Sequence, residues 1–187
     1  MPLDTPLRSL ATTLATDRAV LQTAVEQVPP AARERRPGPG AWSVADVLEH
    51  LAIVEERSIG IVAKLAAAAP PCGPIEPGPA AVLLDRTVLQ DRTQRVDAPT
   101  LLMPTGAGDA EAAWARLTHS RAALLAALEE ASGRDLAAVQ RVHPFLGPLT
   151  GYHWIAALGG HEARHAAQID EIARTLGAAA PGAPQVR

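Results

Sequence analysis

Apolar positions recur along this chain at three- and four-residue intervals, the spacing of one face of an α-helix. Leu7, Leu10, Leu14, Leu21, Val25 and Val28 form the first such stripe. It predicts a helix over residues 5–28, closed by Pro29 and Pro30. Proline removes a backbone donor and pushes the preceding residue out of the α region. A second stripe, Val47, His50, Val54, Ile61 and Leu65, follows Ser43 and Asp46, which have the spacing of a reciprocal helix cap. The predicted helix covers 44–68 and ends before Pro70 and Pro71. A third helix is expected over 110–131, with Trp114, Leu117, Arg121, Leu125 and Leu128 on one stripe, Asp109 as its cap and Gly133 as its stop. A fourth begins at Thr150 or Gly151 and runs to about Leu176.

The intervals between stripes complete the picture. Residues 70–108 form a long connection rich in proline and glycine, inside which AAVLLDRTVLQDRTQRV has the makings of a short helix. Connections this long inside a domain tend to be functional or to carry minor structure. The stretch VHPFLGPL reads as a tight turn before the fourth helix, and 177–187 as a flexible tail. No strong two-residue alternation suggests a strand. The expected fold is all-α: one four-helix-bundle domain over 1–187, with its core in about 5–176 and a long connection between helices two and three.

Charge and composition narrow the function classes. Seventeen basic and twenty acidic residues give a net charge of −3, mixed along the chain, with no basic block for nucleic acid or an anionic membrane. No apolar run approaches the ~18 residues of a membrane span, and the first residues lack a signal-peptide pattern. The single cysteine, Cys72, excludes an internal disulfide, which fits a cytoplasmic protein or one indifferent to redox. Cys72 has no helix start or base beside it that would activate it as a nucleophile.

The chemistry is concentrated in HEARH, residues 161–165. It spells H-E-x-x-H, the zinc pattern of metalloproteases. The extended protease pattern wants glycine at 168 and histidine at 171, where this chain has Gln168 and Glu171, and no acidic residue follows Glu171. At roughly 100° per residue, Trp154, Leu158, His161, His165, Gln168 and Ile172 share one face, and Glu162 lies about 100° away on the flank. Both histidines therefore aim into the bundle, and the glutamate does not face a metal they would share. Histidines at i and i+4 can reach one ion. The best third ligand is His50, the histidine on the apolar face of the second helix. The competing reading is three core histidines satisfied by hydrogen bonds, since each imidazole buried without a partner costs roughly 1–3 kcal/mol.

Two segments also resemble a known family. WSVADVLEHL is similar to the W-S-x6-H-L segment of the DinB/YfiT-like superfamily, and HPFLGPLTGYHWIAALGGHEARHAAQIDEI resembles its C-terminal signature. DAPTLLMPTGAGDAEAAWARLTHSRAALLAAL resembles the middle of the DinB_2 branch. The similarity covers about residues 40–175. It implies a bundle of the up-down-down-up type and a divalent ion, zinc, nickel or iron, held by His50, His161 and His165. It also implies an enzyme that transfers a low-molecular-weight thiol of the bacillithiol or mycothiol kind to a small electrophilic substrate. Metal-dependent hydrolysis and a non-catalytic metal- or ligand-binding or dimerisation module are the alternatives, and a homodimer is compatible with the family.

Around these histidines several residues have two readings. Gln168 either contacts a ligand or orients a histidine. Trp154 lines the site or packs the core. Inward Arg18, Arg57 and Arg121 bind substrate carboxylates or pair with Glu55, Glu162 or Glu171. Asp46 is explained by the cap. Gln168, Arg121 and Glu162 are the weak catalytic candidates, Glu162 as a general base. His143 borders the site or makes a hydrogen bond within its turn, and His119 and His153 read as surface.

Overall fold

Ser43 starts helix α2 (Val44–Ala68) by the reciprocal cap that its spacing predicts. Its hydroxyl accepts from the Asp46 amide at 3.1 Å, and the Asp46 carboxylate accepts from the Ser43 amide at 2.9 Å. Asp4 caps α1 (Thr5–Glu26), accepting from Leu7 N, and Asp109 caps α4 (Ala110–Ala131), accepting from Ala112 N. Each cap satisfies an amide that the helix itself leaves without a partner. The computed structural model describes residues 3–72, 83–93 and 97–178. Among the described residues between α2 and α4 are a short helix, α3 (Thr87–Gln90), and a 3-10 turn at Thr100–Leu102. The short helix expected inside 80–96 is α3, over Thr87–Gln90 among the described residues. Helix α5 (Gly151–Ala178) completes the bundle.

Helix α1 packs on α5, and α2 packs on α4 and α5. The core holds three apolar clusters, and the membership of the two larger ones sets the directions. One joins Leu21 and Val25 late in α1, Val47 and Leu51 early in α2, Ala113 and Leu117 early in α4, and Ile169 and Ile172 late in α5. The other joins Leu7 and Leu10 early in α1, Val62 late in α2, Leu124 and Leu128 late in α4, and Tyr152 and Ile155 early in α5. So α1 and α5 run one way and α2 and α4 the other, which is up-down-down-up. The topology explains the long connection. The chain leaves α2 at one end and must enter α4 at the other, retracing a 25-residue helix of about 37 Å.

One expectation fails. The turn before α5 is a two-stranded antiparallel hairpin, β1 (Gln140–His143) and β2 (Gly147–Thr150), paired from Gln140–Thr150 to His143–Gly147. Its strands have four residues each, and only Leu149 among them is buried, so no apolar alternation marks them. Gly147, with φ of 72°, supplies the left-handed residue that brings the second strand back. The first helix also ends at Glu26, two residues earlier than the apolar stripe suggests, while Val28 still packs in the core. The tail expected over 177–187 falls, from 179 onward, outside the described residues.

Between the two larger apolar clusters lies a layer of buried charge to which every long helix contributes. Arg18 of α1 donates to Glu162 Oε1 of α5 at 2.6 and 2.9 Å and to Glu55 of α2 at 3.4 Å. Arg121 of α4 donates to Glu55 Oε2 at 2.7 and 3.0 Å, to Glu162 Oε1 at 2.9 Å and to the Leu14 carbonyl. Ser120 donates to Glu55 Oε1 at 2.8 Å. Two positive and two negative groups balance.

Candidate metal centre

His50 leaves the early part of α2, and His161 and His165 leave α5 one turn apart. One ring nitrogen from each lies within 4.8 Å of those of the other two. His161 Nε2 lies 3.3 Å from His50 Nε2 and 3.1 Å from His165 Nε2. Imidazole nitrogens bound tetrahedrally to a zinc ion at 2.0–2.1 Å stand about 3.3 Å apart. Among the described residues these three are the one group of histidine, cysteine and carboxylate side chains gathered this tightly.

The outer nitrogens decide which tautomers face inward. His50 Nδ1 is 2.7 Å from the Leu102 carbonyl, which only accepts, so Nδ1 carries the proton and Nε2 offers a lone pair. His165 Nδ1 is 2.7 Å from Gln168 Oε1, with the same result. His161 Nε2 has at most one proton to give and two neighbouring lone pairs to satisfy. The donor set fits a cation at its centre better than it fits hydrogen bonding among the three rings.

Burial reinforces that state. It lowers the pKa of His50, against the partial opposition of the Leu102 carbonyl. His161 is pushed down to about 3, first by burial and then by His50, His143 and Arg164. His165 also lies well below the ordinary value, first through burial and then through His161 and His50. Neutral imidazole is the form that binds a metal.

The side chains around the cluster resolve the two-way readings of the sequence. Gln168 contacts His165 through its Oε1, the contact an orienting residue would make. Trp154 is core: it is buried, and its indole donates to the Arg141 carbonyl at 3.2 Å. Arg121 and Glu162, two of the weak catalytic candidates, are engaged in the ionic layer. Glu162 spends Oε1 on Arg18 and Arg121; burial raises its pKa, with the two arginines pulling the other way. These bonds hold Oε1 at the arginines, while Oε2 is buried without a hydrogen-bond partner among the described residues. Arg57 is exposed, although its helical angle from His50 pointed inward. Asp46 serves the cap and also pairs with Arg36 at 3.2 Å. His143 takes its turn-structural role, accepting from the Phe145 amide at 3.2 Å while its ring rests on Trp154 at 4.9 Å. His119 is exposed, as expected, but His153 is half-buried. The Cys72 thiol is pushed up by burial and by Asp135 and Asp4, the reverse of activation.

Two neighbours receive no role in the sequence reading. Trp42 covers the cluster, its ring 5.0 Å from that of His50 and stacked 6.3 Å from that of His165. The available signal is its place as the first residue of the W-S-x6-H-L segment, one residue before the cap that starts α2. The other is the Leu102 carbonyl, a main-chain atom in the long connection that no residue pattern marks.

With this geometry in view, comparison with known proteins is decisive about kinship. The sequence profile of the DinB superfamily matches residues 13–169. The chain belongs to the DinB superfamily. A search of curated proteins finds no match. The crystal structure of TT2238, described as a four-helix bundle protein, superposes with a TM-score of 0.57 at 21% identity, covering 88% of this chain and 98% of that one. That likeness shows the four-helix-bundle fold alone. Among the described residues, no helix of this DinB protein is long and apolar enough to cross a membrane.

Proposed function

We propose that this DinB-superfamily chain is a divalent-metal-dependent enzyme that transfers a low-molecular-weight thiol to a small electrophilic substrate. His50, His161 and His165 are its metal ligands in this reading. The observation that carries it is the convergence of three Nε2 atoms while two of the rings commit their only proton to outward acceptors. Three neutral imidazoles leave coordination positions free, and a divalent ion held there would supply Lewis acidity that lowers the pKa of a thiol or water. The chain's own residues present the ligands in one tautomer and restrict access. Gln168 and the Leu102 carbonyl fix two rings, and Trp42 covers the face shared by His50 and His165.

The test begins with elemental analysis of the purified protein beside His50→Ala and His165→Ala. Near-stoichiometric zinc, nickel or iron is expected in the wild type, with loss in both variants. Equal metal content in all three would refute the ligand assignment. The metal-loaded protein is then assayed with bacillithiol, mycothiol or glutathione against an electrophile. Thiol consumption with formation of the thioether supports transfer. Turnover of an ester or amide without thiol points to hydrolysis by the same ligands.

A further inference from the structure

The long connection reaches the histidines through one short stretch, and that stretch is held in an unusual way. In the 3-10 turn Thr100–Leu102 and the residues after it, Leu101 and Met103 are exposed, 72% and 43%. These two side chains contribute little apolar burial to its docking. Leu102 and Pro104 beside them are half-buried, and the polar contacts to the bundle are concentrated on two adjacent residues of α2. The Leu102 carbonyl accepts from His50 Nδ1 at 2.7 Å. Three residues on, Thr105 donates its amide to Glu49 Oε2 at 3.0 Å and its hydroxyl to Glu49 Oε1 at 2.9 Å. Gly106 follows at φ of 75°, where a Cβ would come within 2.8 Å of Arg36 Nη2, so the chain turns closely over the start of α2.

From this juxtaposition we infer that Thr105 and Glu49 form a clamp that positions the Leu102 carbonyl and thereby sets His50 as a ligand. The inference rests on the metal reading above. Docked, the segment holds His50 with Nδ1 protonated and Nε2 bare and aimed at His161. Undocked, His50 loses the acceptor that fixes both its ring orientation and its tautomer. Outer partners of ligating histidines commonly account for 10–100-fold in metal affinity. Because coupling is reciprocal, the ion in turn favours the docked segment. Thr105 and Glu49 are positioning residues that act through a backbone carbonyl.

Zinc affinity measured by competition with a chromophoric chelator tests this, since it reads the site without any assay of activity. Thr105→Val should weaken zinc binding roughly tenfold. Thr105→Ser, which restores the hydroxyl, should bind like the wild type. In a Glu49→Ala background, Thr105→Val should weaken binding much less than in the wild type, because most of the shared contact is already gone. In the wild type, zinc should also slow amide exchange across residues 100–106, and less so in Thr105→Val. An unchanged zinc affinity in Thr105→Val, or a full additional loss in the Glu49→Ala background, overturns the clamp while leaving the three-histidine site intact. If the wild type itself takes up no metal, the metal reading fails and the clamp fails with it.

Discussion

Gln168 shows how much one side chain outside the ligand set can decide. Its Oε1 accepts from His165 Nδ1 at 2.7 Å, three residues back along the same helix. Without that acceptor the imidazole is free to flip or to carry its proton on Nε2, which removes the lone pair a metal needs. Gln168→Leu should therefore reduce zinc affinity by about 10–100-fold while the helical circular dichroism stays unchanged. Gln168→Glu, which keeps an acceptor at the same reach, should retain most of the affinity. A Gln168→Leu protein that binds zinc as tightly as the wild type would remove the residue from the site. The sequence already placed Gln168 on one face with His161 and His165, and His50 on the apolar face of α2, because a side chain's direction on a long helix follows from its number. Leu102 and Thr105 could not be placed in that way. Their contribution depends on the path of an irregular backbone, and periodicity contains no record of it. Arg57 marks the limit of the angular argument, since its angle pointed inward and its side chain is exposed.

Among the elements, legibility follows length. The bounds expected for α2 and α4 agree with the structure residue for residue, because a long apolar stripe and a capping side chain act together at each. The hairpin before α5 has neither. Its existence depends on tertiary contact, chiefly Leu149 entering the core and the start of α5 settling against Leu136. Gly151, the first residue of α5, donates its amide to the Leu136 carbonyl at 2.9 Å. A Cβ there would come within 2.9 Å of Leu136 Cβ and 3.1 Å of the Leu136 carbonyl oxygen. Leu136 is fully buried and has no room to withdraw. Alanine is the better helix former, but here the overlap should outweigh that preference. Gly151→Ala is expected to destabilise the protein by about 1–3 kcal/mol, the usual cost of overpacking. At about 2–4 °C per kcal/mol for a chain of this size, thermal unfolding would show it. An unchanged or higher melting temperature would mean that hairpin and helix meet less tightly than the backbone distances indicate.

For the molecule as a whole, the ionic layer is the feature that ties all four long helices together at one level. Each of Arg18, Glu55, Arg121 and Glu162 comes from a different helix, and the layer separates the two larger apolar clusters. It also adjoins the candidate centre along the chain: Glu162 follows His161, and Glu55 lies five residues after His50. A register shift between α2 and α5 that separated the histidines would also break these pairs, so the layer favours the arrangement in which the cluster forms. Its energetics are asymmetric. Replacing a whole buried ion pair with apolar groups is often close to neutral, whereas removing one partner strands the other charge and costs about 3–5 kcal/mol. Arg121→Met leaves Glu55 with Ser120 and a weak 3.4 Å contact to Arg18, and leaves Glu162 with Arg18 alone. It should lower the unfolding free energy in urea by about 3–5 kcal/mol. Adding Glu55→Leu removes the stranded carboxylate and restores neutrality, with Arg18 and Glu162 still paired. The double variant should therefore be more stable than Arg121→Met alone, although Glu55→Leu is destabilising in the wild-type background. That reversal of sign is the signature of a coupled buried pair. Effects that simply add, each below about 1 kcal/mol, would instead mean that the charges are solvated and contribute as little as a surface ion pair.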